Sequence, residues 1–267
     1  MKNLLIMLLA AVGFMSCTKS TEKKTLVLYF SETGATKTVA EEIQKQTGAD
    51  IVAIEAVVPY TGVYGETIER CGREIQTGEN PEIKTLNVNL DDYDTIFLGY
   101  PVWYGTYARP IATLLKEQTF EGKKIVTFCT FGSGGLQAST NDVKAALPLA
   151  NVVEGYGVRN ARINAAAEEV NRFLLENGYK EGEIAPLAEF GEQEPVTEEE
   201  TNIFNEACSS YQFPLGTPIS YAKRSIDNGA EYKFAAKSMG MGGQETETTI
   251  YVVAIDGQTP EFTQVVR

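Results

Sequence analysis

The most informative absence in this 267-residue chain is histidine, of which it contains none. Without an imidazole, the chain has no Ser-His-Asp or Cys-His catalytic group and no histidine ligand for zinc. Chemistry must therefore depend on carboxylates, hydroxyls, thiols or a bound cofactor. Basic residues are also scarce, at 23 against 36 acidic residues, which gives a net charge of −13. This negative charge disfavours nucleic acids and anionic membrane surfaces as partners.

Cysteine is also rare, and its first occurrence closes an apolar N-terminal segment. Residues 1–16 contain an apolar run that is too short to span a bilayer and is typical of a signal peptide. The segment ending at Cys17 resembles a bacterial lipobox, with Phe14 in place of the usual leucine. This resemblance implies lipidation of Cys17 and an exported protein, in the periplasm or on the outer surface, that touches the membrane only through its lipid. The alternative is an ordinary signal peptide followed by an incidental cysteine.

Residues 24–179 alternate short apolar runs with helical patterns, which is typical of a parallel sheet covered on both faces. The predicted strands are residues 26–30, 51–55, 95–100, 124–130 and 152–156. The predicted helices are residues 36–46, 109–116, 142–147 and 165–177. This order predicts a doubly wound α/β domain.

The remainder of the chain predicts a linker and a smaller α+β domain. Residues 180–196 are rich in acidic residues, proline and glycine, and they show no period, as in a linker. At the start of the domain at residues 197–267, Thr197 and Glu200 predict a capped helix. Four runs with hairpin turns between them predict an antiparallel meander: 219–226, 232–237, 248–255 and 262–266.

Three loops follow predicted strands of the first domain, and ligands bind at this edge of a doubly wound sheet. The first loop, residues 31–37, joins a strand to a helix with hydroxyl side chains and a glycine, which suits a phosphate. The second loop, residues 100–107, contains the only tryptophan, and the third loop, residues 130–135, is rich in glycine. Together they predict a pocket for a flat aromatic ring with a phosphate tail. Since no acid-base residue stands out there, the chemistry would belong to the bound ring.

Each loop also has a simpler interpretation. The first can be an ordinary N-cap, Trp103 with Tyr104 can be a core plug, and the third can be a plain turn. Their occurrence in order, at successive strand ends, favours the pocket.

Residues 24–179 resemble the flavodoxin family in three motifs: Ser-x-Thr-Gly-x-Thr in the first loop, Gly-Tyr-Pro-x-Trp around the second, and a Thr/Ser-Gly-rich third loop. The resemblance implies a flavodoxin-like, five-stranded parallel sheet in the order 2-1-3-4-5, with FMN as cofactor at the point where the strand order reverses. It implies that the FMN phosphate is held by Ser31, Thr33, Gly34, Ala35 and Thr36. It implies that the isoalloxazine lies between Pro101, Val102, Trp103, Tyr104 and Gly105 on one side and Thr130, Phe131, Gly132, Ser133, Gly134 and Gly135 on the other.

Two departures from the family pattern shape this expectation. Many members have Ser-Gly-Gly-Ser-Gly in the third loop, whereas this chain places Phe131 there as the only aromatic residue, which implies one-sided stacking and a more open flavin. Residues 33–36 also resemble the acceptor core of covalently flavinylated proteins, but Phe30 replaces the aspartate of that motif. Non-covalent FMN is therefore expected.

The implied function is electron transfer, or reduction of a small acceptor such as a quinone, with a redox partner protein or a membrane quinone as partner. Residues 197–267 resemble a small cystatin-like module through Gly229, Tyr232 and Phe234, but the inhibitory loop of cystatins is absent. The alternative is a flavin-free exported interaction module that uses the flavodoxin fold as a scaffold.

Overall fold

The computed structural model describes residues 24–209, 211–239 and 244–266. The predicted signal peptide and the lipidation site at Cys17 lie outside the described residues. Within them, no helix is both long enough and apolar enough to cross a membrane. The described residues form two sheets, which organise two modules.

The first module is built on a parallel sheet. Its strands are β1 (Thr25–Tyr29), β2 (Asp50–Ala53), β3 (Thr95–Trp103), β5 (Lys124–Phe131) and β6 (Asn151–Arg159), with a short β4 (Thr106–Tyr107) antiparallel to the end of β3. The order is β2-β1-β3-β5-β6. This confirms the predicted fold class and the order 2-1-3-4-5.

Five helices cover the two faces of this sheet: α1 (Ala35–Thr47), α2 (Tyr64–Thr77), α3 (Arg109–Glu117), α4 (Leu136–Ala146) and α5 (Ala166–Glu176). Successive residues of each strand point to opposite faces. In β1, Leu26 and Leu28 join one core with Ile111 of α3, whereas Val27 joins a second core with Val39 of α1. Both faces are therefore buried, as the continuous apolar runs predict.

Two parts of the first module differ from the prediction. The helix predicted over residues 142–147 begins earlier, at Leu136, and α2 was not predicted at all. The buried residues of α2 are Thr67, Cys71 and Glu74. Their spacing is helical, but two of the three are polar, so hydrophobic periodicity does not reveal the helix.

The second module consists of α6 (Glu198–Cys208) and an antiparallel sheet of β7 (Glu194–Pro195), β8 (Thr217–Ile226), β9 (Gly229–Met239), β10 (Glu245–Ile255) and β11 (Glu261–Val266). The order β11-β10-β9-β8-β7 is the expected meander, with β7 added from the segment predicted as a linker. Thr197 and Glu200 form the predicted capping box at the start of α6. Phe204 of α6 packs edge-on against Phe234 of β9 in the core of this module.

Candidate functional site

The first loop ends in a helix terminus that has no side-chain cap. Gly34 stands at the N-cap of α1 with φ of +94°, a conformation that glycine adopts without strain. Within the part of the chain that the structure describes, no side chain caps this helix, and its first turn contains no acidic residue. These amides and the helix dipole suit an anion.

Two hydroxyl groups of the first loop are buried in different ways. The Oγ of Ser31 is buried and has no hydrogen-bond partner among the described residues. The Oγ1 of Thr36 lies 2.8 Å from the Oγ1 of Thr130, which ties the first loop to the start of the third. Thr33 is exposed. Ser31 is therefore the hydroxyl that needs a partner, and a phosphate oxygen would provide one.

The acidic side chain of the first loop is turned toward a neighbouring segment. Glu32 accepts hydrogen bonds from the hydroxyl of Thr67 in α2 and, at 3.1 Å, from the backbone N–H of Gly62. These bonds hold the carboxylate on the connection between β2 and α2. The one negative charge in the loop thus has its own partners.

The second loop is a tight hairpin between β3 and β4, with Tyr104 at φ +51° and Gly105 at φ +82°. The ring of Trp103 lies edge-on to Phe30 and to Tyr60, at centroid distances of 5.7 and 4.9 Å. Tyr104 is 59% exposed, and its hydroxyl donates to the carbonyl of Ile68 at 3.1 Å. Tyr104, rather than Trp103, presents its ring to the adjoining cleft.

The third loop is held by hydrogen bonds from β6 and from the second module. The carbonyl of Gly132 accepts from Nε of Arg159 at 2.9 Å, and the carbonyl of Ser133 accepts from the N–H of Val265 in β11 at 2.7 Å. A Cβ at Gly134 would lie 2.2 Å from the carbonyl oxygen of Val265, so only glycine fits there. Phe131 is buried in the core and does not line the cleft that the second and third loops border.

The second and third loops line a cleft of about 670 Å³, the size of a small-molecule site. Val102, Tyr104, Gly105 and residues 132–135 contribute one side. Residues 211–213 and 264–266 of the second module contribute the other. The first loop does not line this cleft but is bonded to its border through Thr36 and Thr130. The sequence prediction missed the second module's share, because no motif in that tail resembles a ligand site.

Thiol and metal chemistry find little support in the described residues. Burial raises the pKa of Cys71 to about 11, and it also raises the pKa of Cys129, which packs in the core. Burial raises the pKa of Cys208 to about 12. Such thiols stay protonated and weakly nucleophilic at neutral pH. No cluster of acidic or cysteine side chains suited to a metal ion occurs in residues 24–209, 211–239 and 244–266.

A doubly wound sheet with an uncapped helix terminus and a glycine loop at its strand ends defines an α/β protein that binds a ligand at the point of strand reversal. Comparison with known proteins identifies the family to which it belongs. A family model described as Flavodoxin matches residues 24–174, more than half of the chain. The chain therefore belongs to the flavodoxin family, and the second module lies outside the matched residues.

Three solved structures are similar to part of this chain. A flavoprotein from Bacteroides uniformis is 25% identical, with 56% of this chain and 98% of that chain covered and a TM-score of 0.50. A flavoprotein from Bacteroides eggerthii is 29% identical, covering 57% and 98%, with a TM-score of 0.48. A flavoprotein from Lactobacillus acidophilus, solved in complex with FMN, is 28% identical, covering 57% and 98%, with a TM-score of 0.47. No curated protein matches the chain.

Proposed function

We propose that this protein binds FMN non-covalently and uses it for electron transfer or for the reduction of a small acceptor such as a quinone. The observation that carries the proposal is the buried hydroxyl of Ser31, which has no partner among the described residues and lies in the loop before the start of α1. A buried hydroxyl without a partner costs about 1–3 kcal/mol, and a phosphate would satisfy it. Membership of the flavodoxin family supports FMN as the phosphate-bearing ligand.

The residues present fit the cofactor in separate roles. Ser31, Thr33 and the amides of residues 34–36 would hold the phosphate, and the pair of Thr36 and Thr130 keeps the first and third loops together. Tyr104 and the backbone of residues 132–135 would border the isoalloxazine. Bound FMN supplies one- and two-electron transfer, while the protein's residues bind and orient it. The buried hydroxyl of Thr36 is already hydrogen-bonded, which supports a non-covalent cofactor.

We propose further that the protein is exported and anchored by a lipid at Cys17, as the lipobox resemblance implies. A redox partner protein or a membrane quinone would then exchange electrons with the flavin. Fatty-acid labelling in a bacterial host tests the anchor. The wild type should incorporate label and Cys17→Ala should not, whereas equal labelling of both would refute it.

FMN and riboflavin titrations test the cofactor, because the two ligands differ by the phosphate alone. Ser31→Ala should weaken FMN binding about tenfold or more, since it removes a hydrogen bond to a charged group. Riboflavin affinity should change little. Thr47→Ala, at the other end of α1, removes a hydroxyl that donates to the carbonyl of Ile43 and serves as a matched control.

The outcomes separate the two functions that the sequence left open. Wild-type protein that shows neither a flavin spectrum after purification nor tight FMN binding would support the flavin-free interaction module. Equal losses of FMN and riboflavin in Ser31→Ala would mean that the phosphate does not lie at the first loop.

A further inference from the structure

We propose that the second module forms one wall of a binding cleft for a neutral, planar aromatic acceptor of the quinone class, beside the second and third loops. The proposal rests on FMN binding at those loops. It deepens that function by choosing a small molecule over a protein as the acceptor. It also gives a role to residues outside the family match, which ends at residue 174.

Aromatic side chains from both modules meet at this cleft. Tyr64 and Tyr104 of the first module are 76% and 59% exposed, and Phe213 of the second module is 57% exposed. All three line the same cleft, together with Tyr211, whose ring lies 5.8 Å from that of Phe213. Exposed aromatic rings that converge on one concave space are typical of a site for a flat apolar ligand.

Hydrogen bonds join the second module to the third loop beside the cleft. The guanidinium of Arg159 donates to the carbonyl of Gly132 in the third loop and to the carbonyl of Phe262 in β11, the latter at 2.6 Å. The N–H of Val265 donates to the carbonyl of Ser133. The backbone that borders the proposed flavin is thus bonded directly to the second module. That module therefore covers part of the third loop.

The charge of the cleft selects a neutral occupant. Among the described residues that line it, Glu154 is the only charged one, and no lysine or arginine is present. A nicotinamide dinucleotide or another phosphate-bearing molecule would find no counter-charge there, in a chain of net charge −13. Three glutamine side chains also line the cleft: Gln137, Gln212 and Gln264. Their amide N–H groups can donate to the carbonyl oxygens of a quinone.

Two matched quinones test the proposal on the full-length, FMN-loaded protein. The neutral probe is 2,3-dimethyl-1,4-naphthoquinone, and the anionic probe is 2-hydroxy-3-methyl-1,4-naphthoquinone at pH 8. Both lack a free ring position for addition of a thiol. Equilibrium binding is measured by quenching of flavin fluorescence and by calorimetry. The neutral probe should bind about tenfold tighter than the anionic one, since only the second must bring a charge into a cleft without a cation.

Variants in the second module test whether its residues contact the acceptor. Phe213→Ala should weaken the neutral quinone about tenfold while FMN affinity stays within about twofold, because the ring would contact the acceptor and not the cofactor. Leu149→Ala, which shortens another exposed apolar side chain outside the cleft, should change neither affinity. Gln212→Lys should strengthen binding of the anionic quinone selectively.

The results distinguish this proposal from the function on which it depends. Wild-type protein that binds FMN but neither quinone would refute the acceptor cleft and leave the flavin site intact. Loss of FMN affinity in Phe213→Ala would also overturn the proposal, since the ring would then cover the flavin itself. Absence of FMN binding in the wild type would instead refute the proposed function.

Discussion

The two sheets of this protein bury their side chains by different rules. Seven of the eight residues of β5 in the parallel sheet are buried, without alternation. In β10 of the antiparallel sheet, the buried residues alternate with less buried ones at Thr248, Ile250 and Val252. The first sheet has helices on both faces, whereas α6 is the helix that packs on the second. A sheet buried on both faces leaves its strand ends for ligand binding, and the candidate site lies there.

The antiparallel sheet contributes to the same site through its edge. An edge strand presents unpaired backbone groups, which natural proteins cover or block. Here the N–H of Val265 in β11 donates to the third loop of the first module. The edge of one sheet thus becomes a border for the ligand cleft of the other.

Core substitutions test the comparison most strongly. Phe97→Ala and Leu98→Ala are neighbours on opposite faces of β3, and each should lower the free energy of unfolding by about 2–5 kcal/mol. In β10, Ile250→Ala should cost a similar amount, whereas Thr249→Ala should cost less than about 1 kcal/mol. Urea denaturation followed by circular dichroism measures all four. A loss of less than about 1 kcal/mol in the free energy of unfolding at residue 97 or 98 would contradict burial on both faces.

The junction between the sheets should have the next largest effect. Arg159→Met leaves the carbonyls of Gly132 and Phe262 without their donor, which should cost about 2–3 kcal/mol. Thermal unfolding by calorimetry should then show the second module melting separately from the first. Arg73→Met, which removes an exposed pair with Glu69, is the control and should cost less than about 1 kcal/mol. Equal losses in both variants would mean that Arg159 does not join the modules.

At the end of the parallel sheet, a substitution should raise the free energy of unfolding instead of lowering it. In FMN-free protein, Ser31→Ala removes a buried hydroxyl that has no partner among the described residues, so stability should rise by about 1 kcal/mol. The same substitution is expected to weaken FMN binding. Thr47→Ala, which loses a hydrogen bond, should instead lower stability slightly. Urea denaturation before and after FMN addition measures both effects, and a loss of stability in FMN-free Ser31→Ala would contradict the unpartnered state.

The helix on the antiparallel sheet should show a small effect of pH. Hydrogen bonds from Thr197 lower the pKa of Glu200 below its ordinary value of 4.5. The carboxylate therefore stabilises the fold above pH 4.5, and this contribution is lost as pH falls through the lowered pKa. Glu200→Gln should cost about 1 kcal/mol at pH 7, and this cost should shrink as the pH falls through the lowered pKa of Glu200. A series of urea midpoints from neutral to strongly acidic pH measures it, with Glu198→Gln as control. A cost that does not shrink as the pH falls would contradict the ionised capping box.

The sequence predicts the elements whose signal is hydrophobic and misses those whose signal is polar. The strands β1, β3 and β5 were found because a strand buried on both faces reads as a continuous apolar run. The helix α4 was placed too late because its buried face begins with Ser139 and Thr140. The hairpin to β4 was missed because its turn depends on the positive φ of Tyr104, which a pattern of residue types does not show.

The candidate site follows the same division. The three loops were predictable because each combines an informative composition with a position after a strand. The sequence does not show which of Trp103 and Tyr104 faces the cleft, because this depends on the packing of Trp103 against Phe30 and Tyr60. The wall from the second module was also hidden, because Val265 and Ser133 are far apart in the chain and meet through backbone atoms. A contact between backbone atoms does not require particular side chains, so the sequence does not reveal it.

The contact between β11 and the third loop also sets an order in time. The first module is complete in sequence well before β11 has been synthesised, so a nascent chain can fold its parallel sheet while the carbonyl of Ser133 still faces solvent. The ligand cleft acquires its last border only when Val265 has left the ribosome. Cofactor capture before that moment would meet an open, half-built site. During its own synthesis, the protein can therefore pass through a stage in which the first module is folded while the third loop is not yet covered by β11.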